Sequence, residues 1–272
     1  MLIAGYLASL VIGISLGLIG GGGSILTVPV LVYLFNVEPV MATAYSLFIV
    51  GTTSLAGVLP KYKSGEVNLK TAVIFGIPSI AAVFFTRKVI VPAIPKEIMR
   101  LDDLIITKAM LLMVLFAVLM VFASVSMIKK KKGNGGKTVA TEQVFNYPLI
   151  FIEGIVVGIL TGLVGAGGGF LIIPALVLLS KLPMKQAVGT SLLIIAAKSL
   201  IGFTGDLGSR IIDWKLMLSV TALAIIGIIA GNALSKKVDG EKLKTGFGWF
   251  VLVMGIYILV KEIFFPGGAA GH

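Results

Sequence analysis

GLIGGGGSILTVP at residues 17–29 and GLVGAGGGFLIIP at residues 162–174 decide how the rest of the chain is read. Each is a glycine run inside a long apolar stretch, and each is closed by a proline, Pro29 or Pro174. The two align at an offset of 145 residues, and the alignment continues without a gap. Ala42 meets Ala187, Ser46 meets Ser191, Ser54 meets Ser199 and Gly57 meets Gly202. Between 13–60 and 158–205, 19 of 48 positions are identical. Unrelated apolar helices, drawing on a restricted alphabet, would share about one position in eight. The chain contains a duplication.

Working outward, apolar stretches run over 2–35, 39–59, 67–86, 104–128, 147–180, 186–205, 213–235 and 246–265. A membrane helix needs roughly 20 apolar residues to cross about 30 Å of hydrocarbon, so these read as about 8–10 membrane segments. The first and fifth stretches are too long for one crossing, and the glycines break them. Residues 24–36 would reach only about 20 Å as a helix, so half-helices meeting near the midplane are expected. Irregular backbone at that depth survives only inside protein or facing water. Composition agrees: 57% of the 272 residues are hydrophobic and 13% are charged, against about 25% charged in soluble domains. The opening MLIAGYLASL lacks a basic n-region, so the first stretch reads as structure rather than as a removable signal.

The expected fold class is an all-α polytopic membrane protein of two inverted-topology repeats with glycine-broken, re-entrant or short, helices. Residues 1–128 form the first repeat, 129–146 a linker, 147–265 the second repeat and 266–272 a tail. The linker opens with four lysines, 129–132, and the rule that Lys and Arg favour the cytoplasmic side places it there. With the broken segments entering and leaving on one side, Lys61, Lys63, Lys70, Lys181, Lys185, Lys236 and Lys237 also fall inside. The 87–103 loop, with Arg87, Lys88, Lys96 and Arg100, fits that scheme poorly. The net charge of +11 therefore reflects topology, and no nucleic-acid partner is expected.

Glycine-broken helices at matching places in inverted repeats point to a transporter binding site. Gly20, Gly21, Gly22 and Gly23 with Ser24, and Gly165, Gly167, Gly168 and Gly169, are expected to free backbone N–H groups toward an anion. Close helix packing is the plainer use of such glycines. Neither run continues into Gly-Lys-Ser/Thr, which argues against a nucleotide loop. Lys198 lies too deep to reach the surface easily; it reads as an anion ligand, against a structural pairing or an escape to the nearer face. Ser46, Thr53 and Ser54 on one paired helix, and Thr190, Ser191 and Ser199 on the other, can donate to anion oxygens, though such hydroxyls also bond their own backbone. Glu153 and Arg87 are candidates for coupling or gating, against a headgroup-level side chain and a loop anchor. No catalytic set, cofactor or metal site is expected: Cys is absent and the one His is the terminal His272.

The duplicated glycine motifs with their prolines, the two halves and the basic linker resemble the TauE/SafE family of sulfite exporters, also called the toluene-sulfonate uptake permease family, across essentially the whole chain. The resemblance implies transport of sulfite, thiosulfate, sulfoacetate or other organosulfonates across a bacterial or archaeal inner membrane, with substrate and direction left open. The expected partners are a small anion, lipid and a coupling proton or sodium ion. An interior-negative potential of about 100 mV favours outward movement of one negative charge by about 2.3 kcal/mol, which inclines the reading toward export. An anion channel or a non-transport membrane subunit are the alternatives.

Overall fold

The computed structural model of the chain describes residues 2–101, 104–128, 147–178, 182–207, 212–235 and 240–264. The linker 129–146, the tail 266–272 and the loop lysines Lys181, Lys236 and Lys237 lie outside the described residues. Six described helical spans are long and apolar enough to cross a membrane. Large apolar side chains such as Leu7, Val11, Phe122 and Ile229 remain exposed on them, as the lipid-facing side of such a bundle requires.

The first broken stretch is α1 (Leu2–Ile19), a 3-10 run over Gly20–Leu26, and α2 (Thr27–Tyr33). It folds back on itself: Phe35 beyond α2 returns to Gly5 and stacks edge-on against Tyr6, with ring centroids 5.3 Å apart. The stretch therefore enters and leaves at one end. The arms are unequal, however. α1 has 18 residues, about 27 Å of helix; only α2, with seven, is a half-helix. No proline interrupts the apolar run before Gly20 and its glycines, Gly5, Gly13 and Gly17, stand singly, so the first arm extends until the run of four glycines ends it. The second broken stretch repeats this plan as α7 (Tyr147–Val164) and α8 (Gly169–Leu178).

α3 (Pro39–Lys63) and α9 (Met184–Thr204) pack on each other at the centre. α4 (Leu69–Phe85) and α10 (Trp214–Leu234) follow them, while α6 (Lys108–Ile128) pairs with α11 (Gly240–Phe264). Starts of α3 and α9, and of α4 and α10, keep the offset of 145 residues. The capping chemistry keeps it too. Asn68 and Asp213 each accept a hydrogen bond from the backbone N–H three residues on, Thr71 and Leu216, as N-cap side chains do. Their own N–H groups donate to Thr190 Oγ1 and Tyr45 Oη, which are themselves 145 residues apart.

The halves are interleaved. α1 packs along α10, and its counterpart α7 packs along α4. Lipid supplies no hydrophobic drive for helix association, so such contacts depend on close backbone approach between small residues. Gly13 and Gly17 of α1 meet Gly227 and Gly231 of α10; Gly158 and Gly162 of α7 meet Ala82 and Thr86 beside α4. In both interfaces the sequence numbers rise together, so the paired helices start at the same end of the bundle.

The 87–103 region is more than the expected loop. α4 continues through a π-helical turn, Thr86–Ile90, into α5 (Val91–Ala93), and an antiparallel hairpin follows, β1 (Glu97–Leu101) with β2 (Leu104–Thr107). Ile98 before Asp102-Asp103 and Ile105, Ile106 and Thr107 after it supply the β-branched residues that suit strands. Lys108 Nζ donates to the Val91 carbonyl and ties the hairpin back to α5.

A side chain at Gly231 would land on the Ile14 carbonyl, whereas one at Gly246 in α11 would meet nothing within 4 Å. Gly231→Leu is expected to destabilise the protein by about 1–3 kcal/mol through overpacking. Gly246→Ala should be neutral or stabilising by about 0.5–1 kcal/mol. Melting of the detergent-purified variants, followed by loss of the monodisperse elution peak, separates the two.

Candidate functional site

The two glycine motifs touch. A side chain on Gly21 would collide with the Gly169 backbone, and one on Gly169 with Gly21. The same would-be side chain of Gly21 meets Ile195, midway along α9. Gly167 sits against Val50 of α3, Ile195 of α9 and Ser24 of the first motif. The crossing thus lies between α3 and α9, with Gly20–Ser24 and Gly165–Gly169 buried. Pro29 falls within α2 and Pro174 within α8.

The motifs differ in detail. Gly165, Gly167 and Gly168 have φ of 74°, 62° and 66°, so the second motif is an irregular turn between α7 and α8. That conformation costs other residues about 1–2 kcal/mol each. In the first motif only Gly20, at φ 71°, is of this kind, and the chain winds on as a 3-10 helix. Ser24 Oγ donates back to the Gly21 carbonyl at 2.7 Å. The expected pair of matching helix N-termini is therefore not present: the wound run Gly20–Leu26 precedes α2, while α8 begins directly at Gly169.

Lys198 is 0% exposed. Its ammonium donates to Thr161 Oγ1 at 3.1 Å and lies 2.8 Å from where a Gly168 side chain would begin. Among the described residues no carboxylate is within ion-pair reach of it. A lysine at this depth is expensive, and a hydroxyl offers it a dipole but no charge.

The hydroxyls fall into two groups. Ser46, Thr53 and Ser54 on α3 and Ser199 on α9 are fully buried and make no hydrogen bond. Buried hydroxyls ordinarily bond a carbonyl one turn back, so four unpaired ones on the two central helices are notable. Ser191 is engaged, donating to the Val188 carbonyl at 2.8 Å, and Thr190 accepts the Asn68 N–H at 2.9 Å. Glu153 is half-buried on α7.

Arg87 is not a loop side chain. It is 0% exposed, with Nε donating to Asp206 Oδ2 at 2.6 Å and Nη1 donating to Thr43 Oγ1 at 2.9 Å and the Gly162 carbonyl at 3.2 Å. Sequence alone points to neither Thr161 nor Thr43, nor to Asp206 as the partner of Arg87. Nor does it point to the Tyr33–Glu262 hydrogen bond of 3.2 Å that joins α2 to α11.

Residues 5–258 match the family described as Sulfite exporter TauE/SafE. The chain belongs to that family. It is 29% identical over 260 residues to a probable membrane transporter protein of Xylella fastidiosa, covering 92% of each chain. A probable membrane transporter protein of Methanocaldococcus jannaschii is 25% identical with 92% of each covered, and one of Bacillus subtilis is 25% identical with 93% of this chain and 98% of its own covered. No solved structure matches. Family membership and the six apolar spans make the chain a multi-pass membrane transporter.

The turn at Gly168 supplies its own check. Gly65 has φ 69° with open space around it, whereas a side chain at Gly168 would meet both Thr161 and Lys198. Gly65→Ala should cost about 1 kcal/mol from backbone strain alone. Gly168→Ala should cost at least about 1–3 kcal/mol more, because a packed neighbour must also move. Midpoints of thermal unfolding for the two variants test the difference.

Proposed function

We propose that the chain is a secondary transporter of small sulfur-containing anions, sulfite and thiosulfate or organosulfonates, working by alternating access around the crossing of its glycine motifs. The observation that carries this is Lys198, a fully buried lysine with no carboxylate partner among the described residues, set against the irregular turn of the second motif. An anion is the partner that such a cation lacks. Charge-assisted hydrogen bonds of this kind are about twice as strong as neutral ones. The start of α8 at Gly169 adds backbone donors and the positive end of a helix dipole. Ser46, Thr53, Ser54 and Ser199 supply hydroxyls that no protein acceptor occupies.

The substrate class rests on the family description, and the site chemistry suits it: one cation and several neutral donors match a compact oxyanion better than a bulky or apolar solute. Direction rests on the membrane potential. Outward movement of one negative charge gains about 2.3 kcal/mol per 100 mV, so export needs no further coupling. Alternating access is supported by the duplicated sequence and by the interleaved pairing of α1 with α10 and of α7 with α4. Those parallel pairings suit inverted repeats, and the basic linker at 129–146 then marks the cytoplasmic face.

Counterflow of radiolabelled sulfite in proteoliposomes tests the reading. Saturable counterflow is expected, with thiosulfate and sulfoacetate among the competitors. Lys198→Ala should reduce it by at least about ten-fold, the loss of one charge-assisted contact, with elution and melting profiles preserved; Lys198→Arg should retain part of it. A folded Lys198→Ala protein with unchanged counterflow would remove Lys198 from the site. The absence of protein-dependent flux for every sulfur anion would remove the substrate class.

A further inference from the structure

The duplication lets the two ends of the bundle be compared residue by residue. At the end where α4 and α9 finish, Arg87 and Asp206 form a buried ion pair at 2.6 Å. Arg87 comes from the first repeat and Asp206 from the second. The same guanidinium holds Thr43 near the start of α3 and the Gly162 carbonyl near the end of α7. One side chain therefore fastens four elements at once, directly over the second glycine motif, where Gly165 is packed on the backbone of Thr43. Arg87 itself sits in the π-helical turn Thr86–Ile90; such turns occur mostly as local bulges at functional places.

At the opposite end, 145 residues away in each case, the counterparts of Arg87 and Asp206 are Asn232 and Lys61. They make no ion pair with each other. Asn232 Nδ2 donates to the Gly57 carbonyl at 3.3 Å. Lys61, in the last turn of α3, pairs with Glu66 in the loop that follows, both partly exposed. Among the described residues, one end is fastened by buried charge, whereas the other is joined by neutral hydrogen bonds, Asn232 to the Gly57 carbonyl and the Asn68 N–H to Thr190 Oγ1.

We propose that Arg87 and Asp206 form the latch that closes one access route to the motif crossing, and that this pair must separate for that end to open. The proposal rests on the alternating-access reading. Rocking one repeat against the other draws the two charges apart, since each belongs to a different repeat. A ligand that favours the open state shifts the population only as far as its preference for that state exceeds the hold of the latch. The latched end is the one bearing residues 36–39, external if the linker is cytoplasmic.

The chain contains no cysteine, so a single introduced thiol reports without background. Ser46→Cys places one on α3, one turn below Thr43 at a fully buried position. Labelling by a charged, membrane-impermeant thiosulfonate is followed in right-side-out and inside-out vesicles with no anion substrate present. In the Ser46→Cys parent, labelling from the latched face should be slow. Asp206→Asn in that background should accelerate it by about ten-fold or more, from that face alone. The exchanged pair Arg87→Asp with Asp206→Arg should return it toward the parent rate. If the asparagine variant does not survive purification, Asp206→Glu, which keeps the charge and displaces it, should give a smaller acceleration. A folded Asp206→Asn or Asp206→Glu protein labelled at the parent rate overturns the latch, as does acceleration equal from both faces. Because labelling needs no transport, a latch that behaves as described in a protein moving no sulfur anion would count against the substrate and not against the latch.

Discussion

Everything in this bundle is arranged around one contact, the backbone of Gly21 against the backbone of Gly169. Neither residue can carry a side chain there without driving the motifs apart. Because the motifs meet, a hairpin from each repeat reaches the middle of the α3–α9 pair, and irregular backbone is sheltered at a depth where lipid could not hydrogen-bond it. The long arms then have to be held, and the same device holds them: Gly13 and Gly17 on α10, Gly158 and Gly162 beside α4. In a solvent as apolar as the side chains, closeness of approach is the source of affinity between helices.

The scaffold is nearly repeated, but its chemistry is not. Positions 145 residues apart are Leu16 and Thr161, Thr53 and Lys198, Arg87 and Asn232, Lys61 and Asp206. Thr161 and Lys198 touch in the structure, as do Arg87 and Asp206. Two of the departures that carry charge thus meet a second departure in space. A buried charge without company is costly, so Arg87 and Lys198, each charged in one half alone, both have a polar neighbour that is also unmatched in the repeat. Packing is shared between the halves, whereas charge is concentrated at the second motif and at one end.

The architecture was legible in the sequence because its determinants are local or repetitive. Hydropathy gave eight apolar stretches, and the offset of 145 residues carried over to the helix starts and even to the caps Asn68 and Asp213. Half-helices on both sides of the break are not what forms before Gly20, because single glycines do not stop α1 and only the run of four does. The hairpin 97–107 was missed because a short strand pair among charges reads as loop. The long-range partners were harder still. Arg87 and Asp206 are 119 residues apart, Lys198 and Thr161 are 37, and no periodicity links either pair. Comparing the repeats for unmatched polar residues would have picked out both, because those positions are where the duplication was broken.

Anomalous scattering from a crystal of the purified protein soaked with selenite, a heavier analogue of sulfite, tests the central claim most directly. One selenium peak is expected at the motif crossing, within hydrogen-bonding distance of Lys198 Nζ and beside Gly167–Gly169. A peak elsewhere in the protein, with none at the crossing, would contradict that claim.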